Sequence, residues 1–271
     1  MPELPEVQTV ADYIKPDLIG KNILNIEPLW KKVLHNFKPG DIKGKHKIKN
    51  VTRRAKFIII ELDNIILAIH LRMTGKLYLI KEKKLPKHAS AIIYLENSNN
   101  LIFEDTRKFG RIYMYKDLKE INKTHGPEPL EDNFTINWLL TNLKKKKRNI
   151  KALLLDQSFI SGLGNIYVDE SLWESGIHPN SISCSIPKSK ILKLHNSIQN
   201  ILREAINQLG TTFINFSFLN GQSGNYSNEL KIFGKKGQAC KNCGSIIKKI
   251  KVAGRGTHIC TKCQKTHRPR K

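Results

Sequence analysis

The chain has 271 residues, 47 of them Lys or Arg against 23 Asp or Glu, giving a formal charge of +24. That length and the 39% hydrophobic content suit a globular protein with a real core and more than one domain, and no apolar run is long enough to span a membrane. The cationic excess favours a polyanionic partner, most commonly nucleic acid, although a composition rich in Lys, Asn and Ile also contributes to it. No signal peptide precedes the first helix-like segment, so a cytoplasmic location is expected.

From Pro5 to Leu18 the pattern predicts a short amphipathic helix ending near Pro16 and Gly20. Strand signals then dominate to about Tyr115. Phe57–Leu62 and Ile65–Leu71 are apolar runs joined by a tight Asp63-Asn64 turn. Lys76–Ile80, Ala89–Leu95, Leu101–Phe103 and Arg111–Tyr115 continue the series, with a turn at Asn99-Asn100. This section reads as a β-sandwich or barrel carrying a terminal helix. Beyond Gly126-Pro127-Glu128-Pro129 the signal becomes helical. Lys151–Gln157 and Ile166–Glu174 are short helices, and a longer one carries Ile191, Leu194, Ile198, Ile201, Leu202, Ala205 and Leu209, closed by Gly210. Asn215–Asn228 is polar and reads as a mobile loop. Lys144–Arg148 is most simply a solvated charged stretch that could also follow a phosphate backbone.

Three features carry chemistry. Pro2 follows Met1 directly, and removal of that methionine would leave a secondary amine with Glu3 beside it and Glu6 one helical turn on. An amine of near-neutral pKa attacks sugar carbons and aldehydes to give iminium adducts, and a nearby carboxyl group can move the protons. The plainer alternative is that the prolines start a helix and the glutamates complement its dipole. Four of the five cysteines form Cys240-x2-Cys243-x16-Cys260-x2-Cys263, the spacing of a zinc ribbon that closes a tetrahedral shell around one structural ion. Finally, Gly162-Leu163-Gly164-Asn165 opens a helix, with Asn165 expected at the N-cap, and such a turn presents backbone N–H groups to a phosphate.

Pro2-Glu3-Leu4-Pro5-Glu6, Arg54-Ala55-Lys56-Phe57, His70–Gly75, Asp105–Gly110, Gly162–Glu170 and the cysteine ribbon occur in one order from residue 2 to about 265. Together they resemble bacterial formamidopyrimidine-DNA glycosylase, which removes 8-oxoguanine and ring-opened purines from DNA. The resemblance implies an α+β multidomain chain: an N-terminal β-sandwich with a terminal helix (1–118), a helix–two-turn–helix domain (130–227) and a zinc finger (231–265). It implies Pro2 as the nucleophile at C1′, Glu3 as the acid that opens the sugar, Glu6 as a further carboxylate of the catalytic set, and Lys56 as a phosphate contact active in β-elimination. Arg255 would hold the lesion's phosphate and assist δ-elimination, joined there by Asn165, with His88 and Lys146 as further DNA contacts. Met73, Arg107 and Phe109 match the residues that fill the gap left by a flipped base, the arginine facing an orphaned cytosine. Met73 or Phe109 alone would more simply be core. The loop 215–228 corresponds to the family's lid over the flipped base. The implied partner is double-stranded DNA containing an oxidised purine, bound by a monomer without a membrane. Gln8 and Thr106 depart from the family's common glutamate and proline. Endonuclease VIII, a sister enzyme acting on oxidised pyrimidines, fits less well because it usually has glycine where Leu4 stands and lacks the Arg-x-Phe pair. A non-catalytic zinc-ribbon protein would have no use for Pro2, Glu3 and Lys56 together.

Overall fold

The computed structural model describes residues 1–42, 44–80, 84–96, 100–211 and 224–269. The chain forms two compact units, one of residues 1–123 and 209–224, the other of residues 124–208 and 225–271.

The first unit is a two-sheet sandwich with a helix packed into it. Helix α1 (Leu4–Leu18) is followed by β1 (Asn22–Pro28), β2 (His46–Lys47), β3 (Asn50–Arg54), β4 (Phe57–Glu61) and β5 (Ile66–His70). Then come β6 (Gly75–Ile80), β7 (Ala89–Leu95), β8 (Asn100–Asp105), β9 (Arg111–Tyr115) and helix α2 (Lys119–Thr124). One sheet has the order β2-β1-β7-β8-β6 and the other β3-β4-β5-β9, with antiparallel pairing throughout. Between them lie Ile58, Ile60, Leu67, Ile69 and Ile112 from one sheet and Ile23, Ile26, Ala91, Ile93 and Phe103 from the other. Val7, Val10, Ala11, Ile14 and Leu18 of α1 enter the same core at helical spacing.

The runs β4 and β5 are apolar at four of their five positions each because both of their faces are covered. Phe57, Ile59, Ile66 and Ala68 point away from the main core into a second cluster closed by Ile121 of α2. The expected Asp63-Asn64 turn joins them, with the Leu62 N–H donating to the Ile65 carbonyl at 2.9 Å. Helix α1 ends at Leu18, as expected, with Pro16 inside it. Pro16 lies in the last turn, where its missing N–H removes a single bond, and buried Leu18 holds that turn in place.

The second unit contains α3 (Ile136–Lys144), α4 (Ile150–Leu155), α5 (Asn165–Glu174) and α6 (Lys188–Asn207), then the hairpin β10 (Lys248–Val252) and β11 (Arg255–Ile259). Helix α5 is the hub, buried from Ile166 to Trp173 and packed on α4, α6 and β11. The long helix α6 stops at Asn207, and Leu209 and Gly210 follow with φ of 60° and 77°. The lid expected at 215–228 lies outside the described residues as far as 223, and its remainder forms a short 3-10 turn at Tyr226–Asn228. Among the described residues no helix is long and apolar enough to cross a membrane.

Candidate active site and metal centre

Glu3 stands at the N-cap of α1, and Pro2, Glu3 and Glu6 are all buried. Glu6 is fully engaged as an anchor. One carboxylate oxygen accepts the Glu3 N–H at 2.8 Å, while the other accepts the backbone N–H and the hydroxyl of Thr211 at 2.9 and 3.0 Å. Gly210 lies against it, and a Cβ there would come within 2.9 Å of Glu6 Oε1. The arrangement has Glu6 hold the helix start against Thr211.

Lys56 occupies the two-residue turn between β3 and β4 and is only 5% exposed. Its neighbour Ala55 has a positive φ of 54°, unusual for a residue with a Cβ. The turn is tied to α1 through Arg53, which donates to the Ala55 carbonyl at 3.0 Å and to Gln8 Oε1 at 2.9 Å. Gln8 in turn donates its amide to Asp12 at 2.9 Å, which points its carbonyl at Arg53. Gln8 thus supplies the neutral acceptor that links the turn to α1.

Met73 and Phe109 sit on loops that cross between the two sheets at one end of the sandwich. β5 pairs with β9 (His70↔Arg111) and β6 with β8 (Gly75↔Asp105), so the 71–75 and 105–110 loops emerge side by side. Asp105, fully buried, organises both, accepting from the Thr74 hydroxyl, from Arg107 N at 3.1 Å and from Gly110 N at 2.7 Å. These bonds hold the 105–110 loop in shape with Thr106 in place of proline. Gly75 and Gly110 have no space for a side chain, since a Cβ would lie 2.4 Å from the Leu71 carbonyl and 2.3 Å from the Phe103 ring respectively. Arg107 donates to Met73 Sδ at 2.9 Å and lies over the Phe109 ring at 4.8 Å. Met73 and Phe109 remain 43% and 49% exposed, so neither is core. His88 is half-buried in the turn just before β7, where its carbonyl accepts the Asp105 N–H at 3.0 Å.

In the second unit Asn165 is the first residue of α5, and the cap position expected for it is filled by Gly164. Its side chain donates instead to the Gly256 carbonyl at 3.0 Å, beside exposed Arg255 at the head of β11. Ala253 and Gly254, both left-handed, make the turn before it. Lys146 is exposed in the turn after α3, where its carbonyl accepts the Ser183 hydroxyl. Between α4, α5 and β11 lies a network that sequence reasoning missed. Lys151, with no exposure, reaches Asp169 at 2.6 Å and Thr257 at 2.8 Å, and the other Asp169 oxygen accepts the His258 N–H at 3.0 Å. Glu170, next along the helix, accepts the backbone N–H groups of Lys231, Ile232 and Phe233 and so fixes the chain that enters the ribbon.

The sulfurs of Cys240, Cys243, Cys260 and Cys263 lie within 4.8 Å of one another, with Cys240–Cys263 at 3.8 Å and Cys243–Cys260 at 3.4 Å. Four sulfurs on a tetrahedral zinc at about 2.3 Å would stand roughly 3.8 Å apart, so the cluster has the right size. Its electrostatics also call for a cation. Hydrogen bonds from Ser245 draw the Cys243 thiol down to about 6, while burial drives Cys263 up to about 12. Burial opposes ionisation of Cys240 as well, but hydrogen bonds led by the Asn242 backbone N–H bring it below the ordinary thiol range. Thiols this close ionise together only around a positive ion.

Comparison with known proteins agrees with this geometry. The N-terminal domain model of formamidopyrimidine-DNA glycosylase matches residues 1–112, its H2TH domain model residues 125–217, and the zinc finger found in FPG and IleRS residues 237–266. The zinc-finger match and the cluster geometry make the four cysteines the ligands of one structural zinc ion. The formamidopyrimidine-DNA glycosylase of Protochlamydia amoebophila is 42% identical, covering 98% of this chain and 100% of that one. That of Herpetosiphon aurantiacus is 39% identical over 97% and 100%. Among solved structures, wild-type Lactococcus lactis Fpg (MutM) with DNA containing N7-benzyl-Fapy-dG superposes with a TM-score of 0.90 at 37% identity, covering 98% of this chain and 100% of that one. Three domain models in one order and full-length relatives near 40% identity place the chain in the formamidopyrimidine-DNA glycosylase family, and it is therefore a DNA glycosylase.

Proposed function

We propose that this glycosylase excises oxidised purines, namely 8-oxoguanine and formamidopyrimidines, opposite C in double-stranded DNA and then nicks the abasic site through a Schiff base on Pro2. The observation that carries the reading is the Met73–Arg107–Phe109 group: two large apolar side chains left exposed and bridged by one guanidinium. Such a group can replace an extruded base, with apolar wedges in the stack and donors turned to the acceptors of the orphaned cytosine.

Once Met1 is removed, the Pro2 nitrogen carries a lone pair. Its attack at C1′ breaks the bond to the base, which leaves with a proton, and Glu3 protonates the ring oxygen as the sugar opens to an iminium. The iminium acidifies C2′, so loss of a proton there expels the 3′ phosphate; a second elimination expels the 5′ phosphate. Lys56 serves the first elimination, and Arg255 with Asn165 holds the phosphate for the second. His88 and Lys146 contact the backbone, and Glu6 keeps Pro2 and Glu3 in place. The zinc ion shapes the ribbon and takes no part in the chemistry. We assign the working form as a cytoplasmic monomer, since one flipped base occupies one site.

The test is borohydride trapping on duplexes with 8-oxoguanine or a formamidopyrimidine opposite C. The N-terminus is established by mass spectrometry, and Pro2→Gly is run alongside. A trapped adduct mapping to Pro2, and absent from protein that retains Met1, is the expected result. Processed, zinc-loaded protein that forms no adduct with either lesion, or that traps only oxidised pyrimidines, would sink the proposal.

A further inference from the structure

The ribbon meets helix α5 along a single stripe. Asn165 donates to the Gly256 carbonyl, Asp169 accepts the His258 N–H, and Trp173 packs on the zinc cysteines. Positions 165, 169 and 173 are four residues apart, so they stack on one face of the helix. The first two contacts are ordinary hydrogen bonds. The third has a loose end.

Trp173 is 8% exposed and sits in a cluster with Ile232, Ile247, Cys240 and Cys260, with Cys243 and Cys263 against it. Its indole Nε1 is fully enclosed and has no hydrogen-bond partner among the described residues. A buried N–H left without an acceptor is costly, and natural folds rarely keep one. The isoleucines of its cluster offer no acceptor, so the cysteine sulfurs packed beside it are the groups that can take the bond once they are thiolates on a metal. The Lys231 ammonium stands over the indole ring at 5.9 Å, and a cation there makes the N–H a stronger donor. A parallel contact exists on the other cysteine pair, where the Asn242 side-chain amide donates to Cys263 Sγ at 3.3 Å.

We propose that Trp173 is an outer-sphere partner of the zinc ion, its indole N–H hydrogen-bonding the Cys240 thiolate so that metal occupancy fastens the ribbon to α5. A tetrathiolate zinc centre carries excess negative charge on sulfur, and each N–H donor disperses part of it. The bond keeps the thiolate on the metal and satisfies the indole at the same time. Partners of this kind commonly change metal affinity by about 10- to 100-fold. Trp173 is a positioning residue here, since it touches a ligand and no reacting atom.

The experiment follows zinc transfer from the full-length zinc-loaded protein to a chromogenic chelator for wild type, Trp173→Phe and Trp173→Leu. Thermal unfolding in excess zinc confirms that each variant is folded. Trp173→Phe keeps the aromatic packing and deletes only the N–H. It is expected to lose zinc roughly tenfold faster than wild type, with Trp173→Leu at least as fast. Stripping zinc from wild type should also change the tryptophan emission, and that change should vanish in Trp173→Phe although Trp30 and Trp138 remain. Transfer within twofold of wild type for Trp173→Phe, whatever Trp173→Leu does, would overturn the proposal by reducing the contact to packing. Emission from wild type that ignores zinc removal would overturn it independently of any variant.

Discussion

Glu6 commits both carboxylate oxygens to fixed partners, and Gly210 beside it has no room for anything larger. The glycine has φ of 77°, and an added Cβ would stand 2.9 Å from Glu6 Oε1 and 3.1 Å from Glu6 Cγ. Gly210→Ala therefore combines a left-handed backbone with a clash against the group that holds the Glu3 N–H. A cost of about 2 kcal/mol is expected, enough to lower Tm by roughly 4–8 °C in a chain of this size. Calorimetry of the two proteins measures it, and an unchanged Tm would show that neither the backbone strain nor the clash is real. The sequence displays the Glu3–Glu6 spacing but gives no sign that Thr211, so distant along the chain, satisfies Glu6. That is why the sequence places Glu6 with the catalytic carboxylates and only the structure shows which groups its two oxygens hold. Met73 and Phe109 illustrate the opposite case. Each alone looks like core, and only the crossing loops explain why both stay exposed.

At the scale of elements, the helical unit is braced by an ion pair that no periodicity reveals. Lys151 and Asp169 are fully buried and 2.6 Å apart, with Thr257 and the His258 N–H completing their bonds. Removing one partner leaves the other charged in an apolar interior, a loss of about 3–5 kcal/mol, whereas replacing both by apolar residues of similar volume is often neutral. Lys151→Met alone should thus lower Tm by about 10 °C, and Lys151→Met with Asp169→Leu should recover most of the loss. Unfolding curves for the two single variants and the double variant decide this. A double variant as weak as the sum of the singles would mean that the pair is worth no more than its packing. Elements differ in legibility for similar physical reasons. β4 and β5 stand out in the sequence because two clusters cover them, one on each face. β1 does not, because an irregularity between Ile23 and Asn25 breaks its two-residue period. α3 is masked by its lysine-rich end, although Thr135 caps its start by accepting the Trp138 N–H at 3.0 Å. A lysine inside the otherwise apolar Ile150–Leu155 stretch looks like a surface residue until its carboxylate partner is known.

For the molecule as a whole, the formal charge of +24 has two explanations, a composition rich in lysine or an electrostatic footprint for DNA. The run at 144–148 separates them. Its ends are occupied within the fold, since Lys144 reaches the carbonyls of Cys184 and Ile186 at 2.9 and 3.1 Å and Arg148 pairs with Asp156 at 2.8 Å. Lys145, Lys146 and Lys147 between them are exposed. Replacing these three by glutamine should leave Tm unchanged, because surface charges away from fixed partners contribute little to stability. It should weaken binding to undamaged and lesion-bearing duplex alike. Each phosphate contact contributes about 0.9 to the slope of log K against log salt, so three lost contacts would flatten that slope by roughly 2.7. Titrations between about 50 and 200 mM salt can resolve a change of that size. A slope equal to wild type would make these lysines a consequence of composition and move the backbone-binding surface elsewhere. A slope flattened together with a lost preference for the lesion would mean that the turn also helps to present the damaged base.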